Sequence, residues 1–327
     1  MSELPKIKPD PILLMVAGAK GAVGSTVAVA SIALEENPDL IRPYLTINGQ
    51  LSFSVPMRSV IVAGWDINHE VLPNCIATHG VLSESLWKRH SGRLGRMDLR
   101  PAPNGQLDFK GRVEAIRQDM ADFITSFPKA VPVFINLLPA TYENNLGTCR
   151  NIDQLYDGIV PESFPDLAFA LAAILSDIPV INFSPNAVEI PILCKMAKEN
   201  HIPMAGRDGK TGQTYFKVAL ASALKARNLG VDGWYSLNIL GNADGKNLKN
   251  PERAAGKVAN KTELLDDILG YPVGANYGSN THKVHIDYYP PISAKLFNLT
   301  DSPYYHMLSS NIMVEVAFIK YYGGGKK

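Results

Sequence analysis

Cysteine is scarce in this chain. Its three residues, Cys75, Cys149 and Cys194, are odd in number and widely separated. They give neither a disulfide framework nor a metal-ligand spacing, and they fit a reducing compartment such as the cytoplasm. Long hydrophobic runs are missing too. The first, ILLMVAGA, covers eight residues from Ile12 to Ala19 and follows Lys8 and Asp10. It is far shorter than the ~20 residues of a membrane span, and no secretory signal is expected. Nor is there an excess of one charge: 32 basic and 31 acidic residues leave +1, which favours neither a nucleic acid nor a charged membrane surface. There is no internal repeat, and low complexity is confined to the GGGKK end. What remains is an ordinary globular composition, 46% hydrophobic and 19% charged over 327 residues, enough for about two domains.

The first half alternates strand and helix patterns. Ile12 to Ala17 is a continuous apolar run, as in a parallel strand buried on both faces. A glycine turn follows, then the helix-like STVAVASIALEEN, which stops before Pro38. RSVIVAGWDIN reads as a second strand. GRVEAIRQDMADFITSF carries Val113, Ile116, Met120, Phe123 and Ile124 at helical spacing. AVPVFINLLP, FPDLAFALAAILSD and PVINFSP read as strand, helix and strand. This alternation predicts an α/β, Rossmann-like doubly wound parallel sheet.

After about residue 185 the pattern changes. GQTYFKVALASALKARN reads as a long helix, and DGWYSLNIL and THKVHIDYYPP as strands with one polar face. They predict a second, inserted α+β domain. SSNIMVEVAFIKYY reads as a helix returning to the first sheet. The expected division is therefore a discontinuous nucleotide-binding domain, 1–185 plus 296–327, and a second domain, 186–295.

The turn Gly18-x-x-Gly21-x-x-Gly24 lies between strand and helix. Glycines there let the backbone turn tightly and approach a diphosphate at a helix N-terminus. Ser25 and Thr26 add hydroxyls at the same end. The strand–turn–helix context favours dinucleotide binding over a plain βα turn. Glu35 and Glu36 come too early to be the ribose-binding acid. Asp66, ending the second strand, is placed correctly, with residues 42 to 57 inserted before it.

In the second half, AGRDGKTGQT contains the letters GKT, but a Walker loop needs glycine five positions before GK, where Met204 stands. The preceding AKENHIP also lacks strand character, so ATP is excluded and another phosphate is sought. Gly209 to Gln213 precede a helix and offer amide and hydroxyl donors. Lys257 and Lys261, at i,i+4, face one way on a helix, and like charges placed together favour an anion between them. Asn238, Asn242 and Asp244 are suited to sugar hydroxyls. Solvated surface lysines and a simple turn at NADG are the plain alternative.

At these residues the sequence resembles the myo-inositol-1-phosphate synthase family. The matches are Gly24-Ser25-Thr26, Gly64-Trp65-Asp66-Ile67, Ser184-Pro185-Asn186, and a phosphate loop at Gly206 and Asp208 through Thr214. Asn238, Gly241, Asn242, Asp244 and Gly245 match a further motif, followed by Lys257 and Lys261. The resemblance covers roughly residues 12 to 292. It implies NAD-dependent conversion of glucose 6-phosphate to inositol phosphate by C5 oxidation, loss of a C6 proton, closure on C1 and re-reduction. Thr211, Gly212, Gln213, Thr214 and Lys261 would hold the phosphate. Lys257 with Asp208 would relay the C5 hydroxyl proton, with Lys210 nearby. Asn238, Asn242 and Asp244 would orient the sugar. Gly18, Ala19, Lys20, Gly21, Ala22, Val23, Gly24, Ser25, Thr26, Asp66, Ile67, Asn68, Ser184 and Asp301 would contact NAD.

The chain also departs from the family pattern. Arg207 replaces the first loop acid, and Ala19-Lys20 and Ala22-Val23 replace polar residues of the glycine turn. A segment after Pro291 is missing. Lys295 is the candidate for one further catalytic lysine, with Lys326 or Lys327 for another. A monovalent or divalent cation near the phosphate is allowed for, but no zinc site. A cytoplasmic homotetramer is the implied assembly. A plain NAD-dependent sugar-phosphate dehydrogenase and a non-catalytic NAD-binding relative remain as alternatives.

Overall fold

The computed structural model describes residues 10–37, 59–103, 106–139, 149–158, 165–206, 209, 212–240, 264–273, 282–288 and 311–320. They fall into two compact units, the described residues up to 206 forming the first and those from 209 the second.

The first unit runs β1 (Ile12–Ala17), α1 (Ala22–Glu36), β2 (Val60–Asp66), α2 (Leu72–His79), α3 (Glu84–Trp87), α4 (Ser91–Leu94) and β3 (Leu99–Pro101). It continues with α5 (Phe109–Ser126), β4 (Val131–Asn136), α6 (Ile152–Gly158), α7 (Pro165–Leu175), β5 (Val180–Asn182), α8 (Pro191–Glu199) and β6 (Met204–Ala205). The strand order is β3-β2-β1-β4-β5-β6, and every described pair is parallel. This is the doubly wound sheet expected, and the order reverses between β1 and β4. β1 is central, so its side chains feed both faces. Leu13, Met15 and Ala17 join Trp65, Phe134 and the apolar residues of α5 and α7 on one side. Val16 joins Val29, Ile32, Leu72 and Ile76 from α1 and α2 on the other. Residues 167 to 174 of α7 are all buried, which explains a helix apolar all round.

Arg100 on edge strand β3 closes one flank. Its Nη1 donates to Asp119 Oδ1 at 2.6 Å and Asp122 Oδ2 at 3.2 Å, and its Nη2 to Asp98 Oδ2 at 3.1 Å. The guanidinium lies 4.2 Å from the centre of the Phe123 ring. Removing the cation leaves three carboxylates facing one another. Arg100→Met is expected to cost about 2–3 kcal/mol in urea unfolding, with part of the loss recovered in high salt.

The second unit contains α9 (Gly212–Ala226), β7 (Gly230–Leu240), a helical stretch over 264–269, β8 (His282–Tyr288) and β9 (Asn311–Lys320). Its sheet order is β8-β7-β9, with β8 parallel and β9 antiparallel to β7. Ala221, Leu224, Trp234, Leu265 and Leu269 form its core.

Three expectations change here. Residues 311–320 form a strand rather than a helix, and it pairs with β7 in the second unit rather than joining the first sheet. In NIMVEVAFIK the β-branched Ile312, Val314 and Val316 alternate with period two, and ladder bonds along ten residues outweigh a helical reading. The expected division at 185 and return at 296 thus differ from the observed units, because α8 and β6 complete the first sheet. Finally, a strand does feed the GKT loop. β6 has only two residues, too few to show a periodicity, and it contains the Met204 that breaks the Walker pattern.

Candidate dinucleotide and phosphate site

In an open parallel sheet, ligands lie beyond the carboxyl ends of the strands where the order reverses. Here that point is occupied by the glycine turn after β1. A Cβ on Gly24 would stand 2.6 Å from the carbonyl oxygens of both Gly18 and Ala19, so only glycine lets α1 begin this close to the turn. The N-cap of α1 is Gly21, and no side chain caps the first turn. That leaves a helix N-terminus open to an anion. The hydroxyls of Ser25 and Thr26 turn back onto the helix, to Gly21 O and, at 2.8 Å, Ala22 O.

Asp66 ends β2 beside this turn. Its Oδ2 accepts from Lys20 N at 2.8 Å and its Oδ1 from Asn68 N at 2.9 Å. Lys20 is buried, and its Nζ donates to Asn68 O at 2.7 Å. His79 Nε2 lies 2.7 Å from Lys20 O and is therefore the donor. The chain thus fixes the Asp66 carboxylate next to the turn, while Ile67 stays 85% exposed beside it. Glu35 and Glu36 pair with Arg93 and Arg89 instead, away from any ribose role.

On the other side of the reversal, β4 and β5 both end in Ile-Asn, with Asn136 and Asn182 in register. Asn136 Nδ2 donates to Asn182 Oδ1 at 3.1 Å. Asn182 Nδ2 donates to Asn186 O at 2.7 Å and to Glu189 Oε1 at 3.1 Å. Ser184 is buried, and its Oγ accepts from Asn186 N at 3.3 Å. Of these residues the sequence matched Ser184 and Asn186 to a family motif and assigned only Ser184 to the cofactor. The repeated Ile-Asn strand ending was the signal for the pair beneath it.

Gly206, the first matched residue of the phosphate loop, follows β6 at this same edge. A Cβ there would stand 2.5 Å from Asn182 O, and its φ of +147° suits glycine. The loop therefore starts against the end of β5. Of its predicted residues, Gly212, Gln213 and Thr214 form the first turn of α9. Asn238 lies near the end of β7. Asp208, Lys210, Thr211, Asn242, Asp244, Lys257, Lys261, Lys295 and Asp301 lie outside the described residues, as do Lys326 and Lys327.

Sequence reading also missed Lys217. It is fully buried on α9, and its Nζ lies 3.1 Å from His282 Nε2 on β8. Burial, and then the Lys217 charge, push His282 down to about 3, so the imidazole is neutral. Its ordinary value is ~6.5, so the folded state disfavours the proton that the unfolded chain accepts. This contribution is complete above pH ~6.5 and is lost as pH falls towards 3. Stability is expected to drop by about 1–2 kcal/mol between pH 7 and 5 from this residue. Wild-type and His282→Phe unfolding curves at both pH values check it: the variant shows a correspondingly smaller drop. His285 is exposed, and the odd spacing puts it on the opposite face from His282, which fits no shared zinc site.

Fold and turn together define the class: a Rossmann-like doubly wound domain, followed by an α+β unit. The family model for myo-inositol-1-phosphate synthase matches residues 212–318. Inositol-3-phosphate synthase 1 of Bacteroides thetaiotaomicron is 28% identical over 302 residues, covering 84% of this chain and 67% of that protein. Inositol-3-phosphate synthase 1-A of Xenopus laevis is 32% identical over 71% of this chain and 45% of its own length. Among solved structures, inositol-3-phosphate synthase of Caenorhabditis elegans superposes with a TM-score of 0.74 at 20% identity, covering 98% of this chain and 70% of that one. A myo-inositol-1-phosphate synthase-related protein of Thermotoga maritima gives 0.66 at 18%, covering 98% and 80%. The chain is similar to the myo-inositol-1-phosphate synthase family along most of its length. It spans about half the length of several curated relatives, between 45% and 52%.

Proposed function

We propose that the protein binds NAD and cyclises glucose 6-phosphate to inositol phosphate without net oxidation. One observation carries the reading. Along a single sheet edge, in strand order, stand Asp66, the glycine turn, Asn136, Asn182 and Gly206. At ~4.8 Å per strand the row measures about 20 Å. It is the sequence of groups a ribose, a diphosphate, a second nucleoside half and then a substrate phosphate would meet.

NAD, when bound, would accept a hydride from C5 of the sugar and return it after ring closure. The chain's residues handle protons and charge. Thr211, Gly212, Gln213, Thr214 and Lys261 bind the phosphate, and Asn238, Asn242 and Asp244 orient the hydroxyls. Lys257, with Asp208, takes the C5 hydroxyl proton as that carbon becomes a ketone. After a C6 proton leaves, the enolate carbon bonds C1, and the C1 aldehyde oxygen becomes a hydroxyl. Lys210 and Lys295 are the further cations for the charge that develops on oxygen, a role fixed ammonium groups fill best away from water. A cytoplasmic homotetramer built through the second unit is the assembly proposed.

The test is incubation of purified protein with NAD and glucose 6-phosphate. The synthase forms inositol phosphate with no net NADH. A dehydrogenase accumulates NADH, and a non-catalytic relative binds NAD and does neither.

A further inference from the structure

Lys20 lies inside the glycine turn, yet it is only 7% exposed. Its Nζ donates to Asn68 O at 2.7 Å, and among the described residues this neutral carbonyl is its one acceptor. Burying an ammonium on so little costs stability that a small residue in the turn would not, so what it holds is informative. Asn68 is gripped at both of its backbone groups. Its N–H donates to Asp66 Oδ1 at 2.9 Å, and its C=O takes the Lys20 ammonium. Asp66 Oδ2 in turn accepts from Lys20 N at 2.8 Å. Lys20, Asp66 and Asn68 thus close a ring of hydrogen bonds between the glycine turn and the chain leaving β2. Any residue but proline would supply the N–H at position 20, so the ring closes only through the lysine side chain. His79 Nε2, in the last turn of α2, ties the Lys20 carbonyl down at 2.7 Å. Each Asp66 oxygen spends one lone pair inside the ring and keeps another for a ribose hydroxyl.

We propose that the Lys20 side chain is a positioning residue for the adenosine ribose of the cofactor, acting through Asn68 on Asp66. The inference rests on the dinucleotide reading of the sheet edge. Without the ammonium the ring opens at Asn68 O, and the Asn68 N–H that fixes Asp66 Oδ1 is no longer held. The carboxylate then loses its grip on the 2′-hydroxyl, while the glycine turn keeps its place for the diphosphate.

Calorimetric titration of NAD and of 2′-deoxy-NAD, which lacks the 2′-hydroxyl on the adenosine ribose, tests it. The proteins are wild type, Lys20→Met, Asp66→Ala and the double variant. Wild type should bind the deoxy analogue about tenfold more weakly than NAD, the scale of one lost hydrogen bond. Lys20→Met should bind NAD about tenfold more weakly than wild type and discriminate between the two ligands by less than about threefold. The double variant should match Asp66→Ala within about twofold, because the lysine acts through that carboxylate. Equal losses of NAD and of the deoxy analogue in Lys20→Met, or no loss of NAD, overturn the inference and leave the dinucleotide reading intact. So does a fall in NADP affinity larger than the fall in NAD affinity, which would make Lys20 a phosphate ligand instead. Should Lys20→Met not fold, a wild type that binds NAD and its deoxy analogue equally still overturns the inference. A wild type that binds neither overturns both.

Discussion

Replacing Gly24 by alanine abolishes dinucleotide binding while the domain still folds. The added methyl would stand 2.6 Å from two backbone carbonyl oxygens, Gly18 O and Ala19 O. Neither can yield as a flexible side chain would, so the turn must open or α1 must move away. Either change displaces the first-turn amides of α1 from the place where a diphosphate would lie. NAD affinity is expected to fall at least about 100-fold, equivalent to roughly 3 kcal/mol. Stability falls by less, because the apolar contacts of Val29 and Ile32 with β1 and β2 lie further along the helix. Titration calorimetry alongside urea unfolding separates the two effects. Affinity within threefold of wild type would mean that the turn is only a connector.

Lys257→Met removes turnover and spares cofactor binding. In the proposed chemistry this ammonium acts on the C5 hydroxyl, where charge changes during reaction, so its loss is felt in the transition state more than in binding. A drop of about 10³-fold in kcat is expected, the size seen when a fixed electrostatic partner is deleted. Lys261→Met is expected to differ in kind. In the proposed chemistry it would hold the phosphate, which is equally charged before and during reaction, so KM for glucose 6-phosphate is expected to rise more than kcat falls. Steady-state kinetics of both variants, with NAD titration as the control, check this contrast. Identical behaviour of the two lysines would contradict the assigned roles.

The first unit was legible because its signals are local and repeated. β1 is a bare apolar run, α5 has a clean helical period, and strand–turn–helix context singles out Gly24. Asp66 was readable by elimination, since Glu35 and Glu36 had to fall on α1. Tertiary facts were less accessible. β6 is two residues long, and only its pairing with β5 makes it a strand. NIMVEVAFIK carries enough apolar residues for either period, and the partner β7 decides between them. Lys217 looked like any helix lysine, because nothing local says that His282 lies against it. Asn136 and Asn182 span 47 positions, counting from 136 to 182 inclusive, and meet only once β4 and β5 are side by side.

The central claim is that a hydride leaves the hexose phosphate and returns to the same molecule within this protein. Glucose 6-phosphate carrying deuterium at C5 tests it directly, with the inositol phosphate product read by mass spectrometry. The account predicts full retention of deuterium in the ring with no reduced cofactor accumulating. Deuterium lost to solvent, or collected in reduced cofactor, would contradict it.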